Sequence, residues 1–251
     1  MDKGAFWKLI DEVNLETNRN DKAAILKETE RKLMSLPVSE LVDWHSILIA
    51  YHELAYRYDL WAACVATHSH STDDGFIDFR SWLISQGKEI YTNAVNYPDT
   101  LADVVFPAGS ADFEAYGSVA YAAYEKKMAL ETEGLSSILL KYQSWLERRG
   151  PELSARFLSH PRKDMSTDER LVALFLRTLS KDYDLNTAME KQPLSNEILM
   201  DIKSEIHNRP DISPDWDAAD LPRIVPRLYE KYSAEDTLEW SMADEEASWE
   251  R

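Results

Sequence analysis

The sequence predicts an all-α protein: a multi-helix orthogonal bundle, with an N-terminal helical domain and a smaller C-terminal helical extension. Apolar residues recur at steps of three and four, the period of one helix face, rather than alternating as half-buried strands require. Only 7 of the 251 residues are glycine, so few positions favour turns over continued helix. Hydrophobic residues make up 44% and aromatics 11%, with 8 Trp and 12 Tyr, enough for a core that offsets the entropy of ordering the chain.

The elements follow in order. Phe6, Ile10 and Val13 form a first stripe, and Ile25, Thr29 and Leu33 a second. Leu41, Trp44, Leu48, Tyr51 and Ala55 form a third that begins after Pro37. Asp59 stands where it can cap a short helix through Leu60, Trp61, Ala62 and Val65. The polar run from His68 to Gly75 reads as a loop, with Asp74 capping the helix after it. Phe76, Phe79, Leu83 and Ile84 give that helix its stripe, and Gly87 ends it. Ile90 to Val95 continues the helical pattern up to Pro98, and residues 104–109 read as extended. Phe113, Tyr116, Val119, Ala120, Ala123 and Tyr124 begin a long helix.

Gly134 and Gly150 bracket a helix carrying Ile138, Tyr142, Trp145 and Leu146. Pro151 and the polar run from His160 to Ser166 mark the most plausible division in the chain. The expected organisation is a helical domain over 1–128, a connecting helix and linker over 129–165, and an extension with an acidic tail over 166–251. Within the extension, Ser166 and Glu169 have the spacing of a capping box before Leu171, Leu174, Phe175 and Leu179. Ser195 caps a further helix bearing Ile198, Ile202 and Ile206, stopped by Asn208 and Pro210. A last helix starts near Asp220 and Pro222, and Pro226 inside its pattern predicts a kink or a late start. No period of roughly 20 to 50 residues argues for a solenoid.

Charge narrows the functions. A formal net charge of -17 repels phosphate backbones and anionic lipid headgroups, so nucleic acid and membrane surfaces are not expected ligands. The same field attracts basic proteins. It is uneven: from Glu235 onward seven carboxylates face Arg251 alone. No stretch approaches the roughly 20 apolar residues of a membrane span. A single cysteine, Cys64, and a start without an apolar signal core point to a reducing, cytoplasmic setting.

Most catalytic templates fail. The chain holds no glycine-rich phosphate cradle. His52 and Glu53 open like a zinc metalloprotease helix, but Tyr56 stands where the second histidine must project. Gly134, Ser136 and Ile138 lack the second glycine of a nucleophile elbow. His68 and His70 share a loop with Asp73 and Asp74 and are weak metal candidates, since a third firm ligand is missing; no metal or cofactor is expected. His45 and His52, seven residues apart, share a helix face and read as core histidines, and Cys64 as a small hydrophobe. Asp73, Asp74, Asp78 and Arg80 form the densest polar cluster. As catalysts, Asp73 and Asp74 would divide acid and base roles if burial separated their pKa values, with Arg80 and either His68 or His70 assisting. As structure, carboxylates at a helix start are stabilised by about 0.3–1 kcal/mol each, and Arg80 pairs with one locally.

The box from Asp73 to Gly87 resembles a bacterial family catalogued as domain of unknown function 4240. Phe6, Trp7 and Ile10 near the start, Tyr56 to Trp61 before the box and Pro98 to Asp103 after it follow that family's order, over roughly residues 1–128. The family has a glycine-rich approach to the Asp-Asp pair, whereas here the approach runs from Thr67 to Thr72 without glycine. The resemblance implies a bacterial helical domain and brings no established activity. Trp61, Phe76, Phe79, Trp82 and Leu83 within it are spaced to bury on one side.

The expectation that unites these features is a protein-binding module: an immunity or antitoxin-like protein that occludes the active site of a basic toxin. Aromatic anchors among carboxylates suit a basic groove, which selects Asp215, Trp216 and Asp217, and then Glu239, Trp240, Asp244, Glu245, Glu246 and Trp249, as contacts. The alternatives are an enzyme using Asp73, Asp74 and Arg80, or an acidic regulatory scaffold that mimics nucleic acid.

Overall fold

The computed structural model describes residues 1–67, 72–106, 111–128 and 185–233. Every regular element among them is a helix and none is a strand, so the fold is all-α.

Helix α1 (Lys3–Glu16) starts where Asp2 accepts a hydrogen bond from the Ala5 amide at 2.8 Å. Helices α2 (Lys22–Ser35) and α3 (Val38–Leu54) follow, and the first residue of α3 comes directly after Pro37, a position where a missing N–H costs nothing. The three expected stripes are all buried. Helices α4 (Tyr58–Ala66), α5 (Asp73–Ser85) and α6 (Lys88–Asn96) lead to a 3-10 turn (Pro98–Asp103), a short helix α7 (Glu114–Gly117) and helix over 119–128. The long helix expected from Phe113 is therefore broken: the backbone leaves helical geometry at Ser118, just after Gly117.

Gly87 joins α5 to α6 with φ +96°, and a Cβ there would meet Asp11 Oδ1 at 2.7 Å. The backbone angle is what requires glycine, since the Asp11 carboxylate sits at the end of a side chain that can turn away.

The chain divides into two compact units. The first takes residues 1–29, 44–119 and 194–251, the second 30–43 and 120–193. The core of the first is aromatic: Phe6, Trp7, Tyr51 and Tyr91 lie with ring centroids 4.7 to 5.4 Å apart. Such pairs add about 0.5–1.5 kcal/mol each beyond their burial. Within it the Tyr91 hydroxyl donates to the Tyr51 carbonyl at 2.6 Å.

The C-terminal part of this first unit is fastened by charge. Helix Asn196–Lys203 is capped by Ser195, as expected, but Ile206 falls beyond its end. Glu205 then accepts from Tyr51 at 2.6 Å and pairs with Lys88 at 2.6 Å and Lys3 at 3.2 Å. Arg209 pairs with the buried Asp59 and donates to the Val95 carbonyl. The capping role expected of Asp59 is thus not its role: it lies inside the first turn of α4, whose Tyr58 and Asp59 amides donate instead to Asp211. Further on, a helix over Leu221–Ile224 leaves helical geometry at Val225 and helix resumes over 226–233, the break that Pro226 predicts.

In the second unit, Lys126 pairs with Glu30 at 2.5 Å, and the Gln192 amide donates to Ser39 O and Asp43 at 2.9 and 2.6 Å. The helices expected around Tyr142 and Leu174 lie outside the described residues.

Candidate functional site

The last turns of α3, one face of α5, and α7 border a cleft of about 370 Å3 in the first unit. His52 and Glu53 come from α3; Asp78, Arg80 and Ser81 come from α5; Glu114 comes from α7. Ile77 and Ser81 lie four residues apart, so both project from one face of α5. Helix α7 is held against that face by the Phe113 amide, which donates to the Asp78 carbonyl at 3.1 Å. Gly117 keeps the wall low, since a Cβ there would stand 3.1 Å from Ser81 Oγ. Ile49 and Ile77 flank the opening at 42% and 41% exposure, more water-facing than apolar side chains of this size usually are in a helical core.

Ser81 Oγ and His52 Nε2 are 3.1 Å apart, the spacing of a nucleophile and its base. Their surroundings oppose that use. Burial pushes the His52 imidazole down to about 4, with the charges of Arg80 and His45 adding to it. A base that weak takes no proton from a serine near neutral pH. Ser81 Oγ also lies 3.3 Å from the Ile77 carbonyl, so the pair acts as a buried hydrogen bond between α3 and α5.

Arg80 is 5% exposed. Its Nε donates to the Phe76 carbonyl at 3.3 Å and its Nη1 to the His52 carbonyl at 2.9 Å. The rings of Tyr56 and Phe76 each approach the guanidinium carbon at 4.9 Å. Burial lowers its pKa, against the charges of Glu53 and Asp73. The local ion pair expected of Arg80 is replaced by carbonyls and aromatic faces, because the side chain turns inward across α5 rather than along its surface.

Asp73 and Asp74 lie exposed in the first turn of α5, and Thr72, not Asp74, is the cap, accepting from the Gly75 amide at 3.1 Å. The Tyr56 hydroxyl reaches Asp73 at 3.4 Å. Arg80 therefore shares the cleft with His52, Glu53 and Asp78 rather than with Asp74. His68 and His70 lie outside the described residues, and among the described residues no three His, Cys, Asp or Glu side chains converge on a metal position.

Asp217 caps the 3-10 turn Ala218–Asp220 in a reciprocal box with Asp220, and Asp215 bonds with Ser213. Trp216 between them is half-buried. Glu239, Trp240, Asp244, Glu245, Glu246 and Trp249 lie outside the described residues. Sequence reading missed Glu53, Ser81 and Glu114 as neighbours. The signal for Glu53 was present in the His52-Glu53 pair, and for Ser81 in the four-residue step from Ile77.

A family model described as protein of unknown function DUF4240 matches residues 1–126. The chain belongs to that family. No curated protein and no solved structure matches it. The DUF4240 region contains α1 to α7 and every residue bordering the cleft, so the cleft is a feature of the family portion. The fastenings at Glu205, Arg209 and Asp211 come from outside it. Among the described residues no helix is long and apolar enough to cross a membrane.

Proposed function

We propose that this protein is a protein-binding module that captures a basic partner, in the manner of an immunity protein or antitoxin that occludes a toxin's active site. One observation carries the reading: the cleft brings Glu53, Asp78 and Glu114 to an opening flanked by the half-exposed Ile49 and Ile77. Carboxylates around apolar anchors suit a basic side chain presented from a protein surface. The interior hydrogen bond between Ser81 and His52 offers no reactive group to a substrate, which favours binding over catalysis. The net charge of -17, dense in the tail from Glu235, supplies the long-range steering. A cytoplasmic location fits the single thiol, Cys64, which is buried and has no second cysteine to join.

The experiment is co-purification of the full chain with the products of neighbouring genes. A basic product that co-elutes, binds more weakly as salt rises, and is released by a Glu53→Lys, Glu114→Lys double variant of unchanged melting temperature supports the reading. If no neighbouring product co-elutes, and deleting the gene leaves cells indifferent to its neighbours, the reading fails.

A further inference from the structure

The unusual feature of the cleft is the cation in its wall. Arg80 is only 5% exposed, yet among the described residues no carboxylate stands within ion-pair distance of it, and the charges of Glu53 and Asp73 act on it from farther away. Two of its three nitrogens are satisfied by main-chain carbonyls. The third, Nη2, has no acceptor among the described residues, and Arg80 borders the cleft. A guanidinium is always charged and forks its donors in a plane matched to a carboxylate, so a cleft-bordering Arg80 with donor capacity left over can take an anion. The same cleft is bordered by Glu53, Asp78 and Glu114, which would repel a simple anion. A ligand that fits both must carry a carboxylate and a cation a side chain's length apart.

From this we infer that the cleft receives the C-terminal Lys or Arg of its protein partner, with the terminal carboxylate on Arg80 Nη2 and the basic side chain between Glu53 and Glu114. The inference rests on the reading of the protein as a binder of a basic partner and names the part of the partner that docks. The size agrees: about 370 Å3 lies at the small end of ligand sites, room for one residue and its terminus. The flanking Ile49 and Ile77 would meet the residues before it. Gly117 opposite Ser81 leaves the wall free of a Cβ where the terminus enters.

The test is calorimetric titration of the full chain with a five-residue peptide, Gly-Gly-Ser-Gly-Arg, as the free acid, as its C-terminal amide, and against free L-arginine. The free acid is expected to bind at least about tenfold more tightly than the amide, since the amide removes the charge Arg80 would meet. Free L-arginine is expected to bind at least about tenfold more weakly than the peptide, because it lacks the residues that reach Ile49 and Ile77. Arg80→Met is expected to erase the preference for acid over amide, and Glu53→Gln with Glu114→Gln the preference for a terminal Arg over a terminal Gly. Equal binding of acid and amide in the unaltered chain overturns the inference without needing any variant to fold. Free arginine binding as tightly as the peptide also overturns it, and makes the cleft a small-molecule site. If a neighbouring gene product still co-purifies with Arg80→Met at full affinity, this inference fails while the partner reading stands.

Discussion

The first unit draws two guanidinium groups inward, Arg80 fully and Arg209 in part, and gives them different company. Arg209, on the C-terminal segment, meets the carboxylate of Asp59, itself 4% exposed, and the Val95 carbonyl. Arg80, in the cleft wall, meets two carbonyls and two aromatic faces and, among the described residues, no carboxylate at ion-pair distance. A desolvated charge is tolerated when its counter-charge is supplied, and the two sites differ in who supplies it. At Arg209 the chain does so itself, which makes the pair a fastening. At Arg80 the chain supplies carbonyls and the more distant charges of Glu53 and Asp73, and the proposed partner would supply the direct counter-charge.

The sharpest way to break this comparison is to remove one group from each. Asp59→Ala leaves the partly buried Arg209 and Arg57 without their shared carboxylate and is expected to cost about 2–4 kcal/mol of stability. Arg80→Met removes a charge that has no carboxylate to strand among the described residues and fills the same space, so its cost is that of the hydrogen bonds to the Phe76 and His52 carbonyls, about 1–2 kcal/mol. Urea unfolding at neutral pH measures both. Equal losses would mean that Arg80 is as structural as Arg209, and the distinction would go.

The difference between the two regions also marks what the sequence made legible. The stripes of α1 to α3, the stop at Gly87, the cap at Ser195 and the break at Pro226 all follow from local rules: helical period, backbone geometry and capping chemistry act within a few residues. What lay beyond such rules is the partnership of distant residues. Asp59 has the composition of a cap, but the C-terminal segment brings Arg209 and Asp211 to it and changes its role. Arg80 stands near Asp73, Asp74 and Asp78 in sequence and turns instead to a carbonyl on α3, which no spacing along α5 reveals. Glu114 joins the cleft only because α7 packs on α5. The acidic, aromatic tail expected to carry the partner's contacts lies outside the described residues, whereas Asp217 of the earlier acidic stretch is engaged in capping.

Acid separates the two regions by pH. Burial pushes His45 and His52 down to about 4, from an ordinary value of about 6.5. The unfolded chain therefore binds more protons between these values, so the stability these histidines lend is full above about 6.5 and lost as pH falls toward about 4, on the order of 3 kcal/mol for each. Glu205 behaves differently. Burial would raise its carboxyl, but hydrogen bonds from Lys88, Tyr51 and Lys3 outweigh that and hold it below the ordinary range. Its contribution is present above the ordinary carboxylate pKa of about 4.3 and is lost only as pH falls below that. Urea midpoints measured from pH 8 to pH 3 should therefore fall in two stages. His52→Gln should shrink the upper stage, leaving the part due to His45, and Glu205→Gln the lower one; a single stage in the unaltered chain, or the same change from both variants, would merge the two regions.

The finest test concerns how the C-terminal segment is fastened. The residue at the head of α4, Arg57, makes no side-chain cap bond, and Asp211 fills that role from 153 residues away, its carboxylate accepting from the Tyr58 amide at 2.8 Å and the Asp59 amide at 3.3 Å. In return Asp99 accepts from the Arg227 and Leu228 amides, both at 3.0 Å, at the head of the helix over 226–233. Each part of the unit thus caps a helix of the other, and a cap of this kind is worth about 1 kcal/mol. Asp211→Ala is expected to lower stability by about that amount and to speed amide exchange in the first turn of α4 while leaving the cleft's ligand affinity unchanged. Asp211→Asn, which keeps the accepting oxygen, should restore most of the protection. If Asp211→Ala instead weakened peptide binding at Arg80 as strongly as it loosened α4, the fastening and the site would be one device, and the contrast between a charge the chain completes and a charge it leaves open would have to be abandoned.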